Sequence, residues 1–392
     1  MKETNFKHTD IGDIPHDWNV VKLGEIGVFS KGRGISRDVA NTGEIPAVRY
    51  GELYTIHNNY IKEYGSFISK EVAKNAHQLK KGDILFTCSG ETKEDIGKSV
   101  AFIDSVEAYA GGDLIILSPY NNYSPLFLGF TTNSKGCQEQ KAARGQGDAV
   151  VHISAESISS ILIPFPPTIA EQQRIATALS QMDELISALD EQINKKLLIK
   201  QAAMQQLLTA KTRLNGFSEP WHTAKLGEIL DYEQPTDYLV ASAEYSEKGT
   251  PVLTAGKTFI LGYTQEKWGI YKNTPVILFD DFVAESKYVD FPFKVKSSAA
   301  KMLKLHDTQN NLRFIYELMQ QIDFPVVDHK RRWISEYSQL EISIPSLPEQ
   351  QAIASILTAM DNEIQTLQTQ RDKYTLIKQG MMQQLLTGKI RI

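Results

Sequence analysis

Cysteine is nearly absent: Cys88 and Cys137 are the only two in 392 residues. Two thiols cannot build a disulfide framework and their spacing fits no metal-ligand pattern, so both read as reduced core or surface residues. Long apolar runs are missing too, since no stretch approaches the roughly 18 residues a membrane span needs. The start, from Met1 to Pro15, is polar and carries Asp10 and Asp13 instead of an apolar signal core. The expectation is a soluble, cytoplasmic protein without membrane contact. An excess of positive charge is also lacking: 42 Lys and Arg face 47 Asp and Glu, a net charge of -5 with a pI near 6.0. That balance argues mildly against nucleic acid as a partner.

Catalytic patterns are equally scarce. The eight histidines show neither HxxxH nor HExxH, so no metal site or triad is expected. Gly97-Lys98-Ser99 imitates the tail of a phosphate loop, but Thr92 stands where that loop needs glycine, and Glu94 and Asp95 would repel the phosphates. Asp281 with Glu285-Ser286-Lys287 imitates a nuclease motif at too tight a spacing. Phe165-Pro166-Pro167-Thr168 lacks the leading Asn or Asp and the closing aromatic with which adenine methyltransferases hold a flipped base. Gly32-Arg33-Gly34 reads as a loop turn. Neither a catalytic centre, a metal nor a cofactor is expected in this chain.

What is present is an internal repeat. At an offset of 178, residues 171–213 align without a gap onto 349–391, with 24 of 43 pairs identical. Average composition gives about three such identities by chance. Upstream, Trp18 with Lys22-Leu23-Gly24-Glu25-Ile26 returns as Trp221 with Lys225-Leu226-Gly227-Glu228-Ile229 at offset 203. Ile153-Ser154 and Ile163-Pro164 return as Ile334-Ser335 and Ile344-Pro345 at offset 181. The ends of each unit are therefore shared and the middles are unlike, the second copy being shorter.

Residues 168–211 read as a helix: Ile175, Leu179, Met182, Ile186, Leu189 and Ile193 alternate steps of four and three, the seam of a coiled coil. Ile353, Leu357, Met360, Ile364 and Leu367 repeat it. Lys196 and Lys200, or Arg371, interrupt the seam, which resumes at Leu198-Ile199 and Leu376-Ile377. Forty-four residues make a rod of about 66 Å. Turn-then-apolar strands are expected at 81–87, 99–103, 114–117 and 273–279. The fold class is α+β (mixed α/β): two globular domains joined by two long antiparallel coiled-coil helices, in an internal pseudo-twofold repeat. The segments run 1–167, 168–214, 215–346 and 347–392.

Duplicated variable domains, each closed by an Ile-Pro-x-x-Pro exit and followed by a Glu-Gln-Gln helix ending in Gln-Gln-Leu-Leu-Thr, resemble the DNA-specificity (S) subunit of Type I restriction-modification systems. The stretches Leu253 to Lys257, Leu261 to Tyr263, Phe279 to Phe282 and Lys294 to Ala299 are similar to one recurrent class of its target recognition domains. The resemblance implies a non-enzymatic reader of double-stranded DNA. Each target recognition domain reads one half of a bipartite site, the helices fix the spacing, and two modification (methyltransferase) subunits dock. Restriction (translocase/nuclease) subunits join through the complex. S-adenosylmethionine, ATP and Mg belong to those partners. A half-site of about four base pairs recurs roughly every 256 base pairs, too often for one domain alone to pick unique sites at about 1–3 kcal/mol per mismatch. Two rival readings stay open: a specificity module of another methyltransferase-nuclease system, or a coiled-coil scaffold with two binding domains unrelated to DNA.

Basic and hydroxyl side chains are the candidates for phosphate and base contacts. In the first domain these are Lys31, Arg33, Arg37, Arg49, Tyr50, Ser89 and Lys93, with Tyr50 open to a core role, and Lys135, Lys141 and Arg144 as weaker choices. In the second they are Lys257, Lys287, Lys294, Lys296, Ser297, Ser298, Lys301 and Lys304, then the basic run Lys330, Arg331 and Arg332. The repeated polar residues Lys200, Gln201, Gln205 and Gln206, with Lys378, Gln379, Gln383 and Gln384, are candidates for partner docking, against a bland alternative of a solvated helix face. Residues 1–165 hold 17 basic and 20 acidic side chains and 215–346 hold 14 and 18. Neither domain is basic as a whole, so this chain alone is expected to bind DNA weakly and to rely on its partners for phosphate contacts.

Overall fold

The structure is a computed structural model that describes residues 5–256, 258–325 and 331–392. Two compact units form, with borders inside the two long helices: Met1–Leu189 with Gln370–Ile392, and Asp190–Thr369. The helices are Ile169–Leu207 and Leu347–Leu385, 39 residues each. The first stops short of the expected 211. Ala210 takes a left-handed φ of 55°, and the Thr212 amide turns back to the Gln206 carbonyl at 3.1 Å.

In the first unit the strand Ile84–Thr87, buried along its whole length, sits inside an antiparallel sheet ordered Ser99–Ala101, Ile84–Thr87, Leu114–Pro119, Gly27–Lys31. Burial on both faces explains its unbroken apolar run. A second sheet runs Ser66–Ile68, Ile45–Val48, Tyr109–Ala110, His77–Gln78, with Ile45–Val48 and Tyr109–Ala110 parallel. Helices Pro125–Thr131 and Lys135–Arg144 follow, each capped by a serine hydroxyl, Ser124 and Ser134.

The second unit repeats this plan from an unlike sequence. Its antiparallel sheet is ordered Leu230–Glu233, Ala300–Leu305, Val276–Asp280, Ser286–Val289, and its smaller sheet Ile260–Thr264, Thr250–Leu253, Lys294–Val295 again holds one parallel pair. The strands expected at 81–87, 99–103, 114–117 and 273–279 all form, within three residues at their ends.

The shared strings turn out to be joints. Strand Asn19–Lys22 pairs with Leu162–Phe165, and His222–Lys225 with Glu341–Ile344, so each domain is clamped where the chain enters and leaves. After each entrance strand a carboxylate caps its own turn: Lys22 N donates to Glu25 Oε2 at 3.2 Å and Lys225 N to Glu228 Oε2 at 3.0 Å. Gly24 and Gly227 are closely packed: a Cβ would meet Ser159 Cβ at 3.1 Å or Ser338 Cβ at 3.0 Å, so the serine would have to give way. In the Glu-Gln-Gln strings the buried Gln172 and Gln350 stitch domain to helix. Gln172 accepts from Ser124 N at 2.9 Å, and Gln350 accepts from Asn311 N at 2.8 Å and donates to the Pro345 carbonyl at 2.9 Å.

Helix pairing within each unit corrects the expected seam. Ile175, Leu179, Leu189 and Ile193, and Ile353, Leu357 and Ile364, are buried as expected. Beyond Ile193, however, the seam passes through lysines. In the second unit Lys196 pairs with Glu363 at 2.6 Å, and Lys200 pairs with Asp361 at 2.7 Å and reaches the fully buried Glu317 at 3.4 Å. In the first unit Lys378, the repeat partner of Lys200, pairs with Asp183. Arg213 closes on Glu349 at 2.7 Å in one unit, and Arg391 on Glu171 at 2.9 Å in the other. Leu198-Ile199 and Leu376-Ile377 do not resume the seam. Leu198 is 66% exposed and Leu376 67%.

Candidate nucleic-acid interface

In the first unit the end of strand Gly27–Lys31 and the turn after Ala110 are pressed together. Gly32 N donates to the Leu114 carbonyl at 2.9 Å and Arg33 N to the Ala110 carbonyl at 3.2 Å. A Cβ on Gly32 would lie 1.9 Å from the Gly111 carbonyl oxygen, so only glycine allows this approach. Two cavities flank the contact. One, of about 570 Å³, is lined by Lys31, Cys88, Asp113, Arg144, Gln146 and His152 among others. Arg37, Arg49, Tyr50 and Asp113 border the other, of about 900 Å³. Tyr50 is 42% exposed, which places it at this surface and not in the core.

The chain thus gathers Lys31, Arg37, Arg49 and Tyr50, with Arg33 in the same turn. Arg49 Nε is held by Ser66 Oγ at 2.9 Å, which fixes the side chain while leaving part of it in the cavity wall. Ser89 is bound to His152 Nδ1 at 3.0 Å and so sits at the edge of the first cavity. Lys93 is exposed on the 91–95 loop, away from both cavities' walls. Of the weaker candidates, Lys135 is exposed, while Lys141 is buried and donates to the Gly97 carbonyl at 2.7 Å, its pKa drawn down to about 8 by burial. Arg144 is tied to Ser160 at 2.9 Å but lines the first cavity. Burial raises the pKa of the Cys88 thiol in the first cavity's wall, and burial with the nearby Lys98 lowers the buried His57 to about 4, so the thiol is protonated and the imidazole neutral at neutral pH. The sequence reading missed Asp113, Gln146 and His152. No local pattern marks them; only the turn and the Gln146–His152 backbone pairing, at 2.9 and 2.8 Å, bring them in.

The second unit divides its candidates. Lys294 is fully buried, pairs with Glu266 at 2.5 Å and lies 3.6 Å from the centre of the Trp268 ring. Lys301 is buried against Asp281 at 3.2 Å. Arg332 is 2% exposed, donating to the Phe282 carbonyl at 3.2 Å and pairing with Glu336. These three therefore stabilise the interior, because the charge of each is already neutralised or bonded away from solvent, and they are withdrawn as DNA contacts. Lys296, Ser297, Ser298 and Arg331 are exposed, Lys287 is half-buried, and Lys304 is half-buried near Glu233 at 3.5 Å. Lys257 and Lys330 lie outside the described residues.

On the helices, Lys200 and Lys378 are taken by the ion pairs above and leave the docking set. Gln201, Gln205, Gln206, Gln379 and Gln383 are exposed and Gln384 is half-buried, with Gln206 accepting from Thr212 at 3.0 Å. Gln379 and Gln383 also line a cavity of about 560 Å³ beside Lys135 and Gly136. Among the described residues no helix is long and apolar enough to cross a membrane, and no group of three or more His, Cys, Asp and Glu is placed to hold a metal ion.

One frame built twice, each copy joined to a shared pair of helices, defines a duplicated domain-and-helix protein. Comparisons with known proteins specify the class. The family model "Type I restriction modification DNA specificity domain" matches residues 15–198 and 218–374. The chain therefore belongs to the Type I restriction-modification specificity (S) subunit family. It is similar to the EcoR124I/EcoR124II specificity subunit of Escherichia coli, 49% identical over 148 residues that cover 36% of each chain, so the match spans about a third of that relative. Its similarity to a putative MjaX specificity subunit of Methanocaldococcus jannaschii, 26% identical, extends over 100% of this chain and 98% of the relative. The fold is that of the S subunit from M. genitalium, with a TM-score of 0.65 at 16% identity over 98% of this chain and 97% of the other.

Proposed function

We propose that this chain is the non-catalytic DNA reader of a Type I restriction-modification complex in the cytoplasm. Each domain reads one half of a bipartite site, the helices set the gap, and two modification subunits dock. S-adenosylmethionine, ATP and Mg act in the partner subunits. One observation carries the reading: joints of the same design hold two frames whose loops differ, Gly111-Gly112-Asp113 in one and Lys296-Ser297-Ser298-Ala299 in the other. A repeated joint suits one partner bound twice; unlike loops suit two different targets. In the first unit the phosphate and base contacts come from Lys31, Arg33, Arg37, Arg49 and Tyr50, with Ser89 and Lys93 at the margin. In the second, Lys287, Lys296, Ser297, Ser298, Lys304 and Arg331 serve.

The double substitution Arg33→Ala with Arg37→Ala tests the first surface. In the assembled methyltransferase it should weaken duplex binding and flatten the log-log salt slope by about 0.9 for each phosphate left without a basic partner. Unchanged affinity and slope would remove this face from the interface.

Modification subunits dock through the repeated exposed pair Leu198-Ile199 and Leu376-Ile377, with the neighbouring glutamines as its polar surround. A large exposed apolar pair held in both copies suits a protein partner more than solvent. Leu198→Asp or Leu376→Asp should each leave one modification subunit per chain by native mass, and the double variant none, with unfolding transitions unchanged. Two subunits retained on the double variant would place docking elsewhere.

A further inference from the structure

Resting on the DNA-reading role proposed above, we infer that Asp113 is a base-reading residue of the first unit, its carboxylate accepting a hydrogen bond from an exocyclic amino group, cytosine N4 or adenine N6, in the major groove. Asp113 lines both cavities of the basic surface. Its loop is clamped to the Lys31–Arg33 turn by the Gly32 and Arg33 amides, and its own carbonyl accepts from Cys88 N at 3.1 Å. The carboxylate therefore stands on a fixed backbone.

That backbone is left-handed, with φ of 59°. Aspartate tolerates this region better than most residues but less well than the glycines just before it. Residues held in this region cluster at binding and catalytic surfaces, and here the side chain lines both cavities. Its charge defines its role there. Lys31, Arg33, Arg37 and Arg49 suit phosphate oxygens, whereas a carboxylate among them repels phosphate and gains only from a hydrogen-bond donor. In the major groove the exocyclic amino groups of cytosine and adenine are those donors.

Neighbouring carboxylates have other roles. Glu52 is buried, accepts from Ser66 Oγ and caps its helix through Arg49 N at 3.2 Å. Glu156 sits in the first turn of helix Ala155–Ser159, facing the positive end of the helix dipole. Among the described residues, Asp113 Oδ1 receives only a weak thiol contact, from Cys88 at 3.8 Å, which a base amino group outcompetes. In the second unit the place of Asp113, marked by the same backbone bond from Asp281 N at 3.0 Å, is held by the buried Ala299. The device belongs to one reader alone.

The test maps methylated adenines in DNA from cells expressing the full chain with its modification partner, comparing wild type, Asp113→Gly and Asp113→Asn. Glycine keeps the left-handed turn and removes the acceptor. It should relax one base position in one half-site by on the order of 10- to 100-fold in relative methylation, with the other half and the gap unchanged. Asp113→Asn separates the two sources: an amide keeps or sharpens an adenine through N6 and N7, but weakens a cytosine, whose amino group meets a neutral acceptor beside an unmatched donor. A motif unchanged in both variants overturns the inference, as does uniform loss at every position, which is the signature of a structural aspartate. The underlying DNA-reading role fails on a different result, the absence of salt-dependent duplex binding by the wild-type complex.

Discussion

Replacing residues 19–160 with the matching segment of another family member is expected to change one half of the methylated motif and to leave the other half and the gap intact. The junctions fall at the joint where Asn19–Lys22 meets Leu162–Phe165, so both cuts lie beside the frame and outside the recognition loops. The ion pairs that hold the helices in this unit, Glu171 with Arg391 and Asp183 with Lys378, lie beyond the exchanged segment. What must be preserved inside it is a backbone amide for Gln172, here that of Ser124. The effect is large because mismatches cost about 1–3 kcal/mol each and add across a half-site, so the old half should be lost entirely. Mapping methylated adenines gives the result directly. Changes in both halves, or in neither, would refute two independent readers.

Asp281→Ala is expected to destabilise the second unit by about 3–5 kcal/mol, the usual consequence of stranding a buried charge. Asp281 is 1% exposed. One carboxylate oxygen accepts from Arg332 N at 3.1 Å and Trp333 N at 2.8 Å, and the other faces Lys301 at 3.2 Å. Alanine leaves the Lys301 ammonium without its counter-ion and two buried amides without an acceptor. Adding Lys301→Met should recover part of the loss, because the stranded charge is then gone while the two amides stay unmet. Denaturant unfolding of the full chain measures both. A midpoint equal to wild type for the single variant would show that this pair does not hold the domain.

These residues also show where sequence reading stops. Asp281 resembled part of a nuclease motif, and Lys294, Lys301 and Arg332 resembled a basic DNA-facing run, because composition records charge but not direction. Strand Ala300–Leu305 turns Lys301 inward against Asp281, and Lys294 lies under Trp268. The helix lysines misled in the opposite sense. Lys196 and Lys200 broke a strict apolar heptad, and Lys200, repeated as Lys378, looked free for a partner, yet facing acids make both lysines the seam, and the apolar Leu198-Ile199 pair is displaced outward.

The repeat, the helices, the strand at Ile84–Thr87 and the family were determined by the sequence alone, because periodicity and identity are properties of order along the chain. Tertiary structure decided that two unlike middles share one strand order, since pairing depends on backbone hydrogen bonds that many side-chain sets satisfy. It also decided which charges face solvent. Asp113 became a candidate only when the Lys31–Arg33 and Gly111–Asp113 turns, some 80 residues apart in sequence, met across a glycine contact.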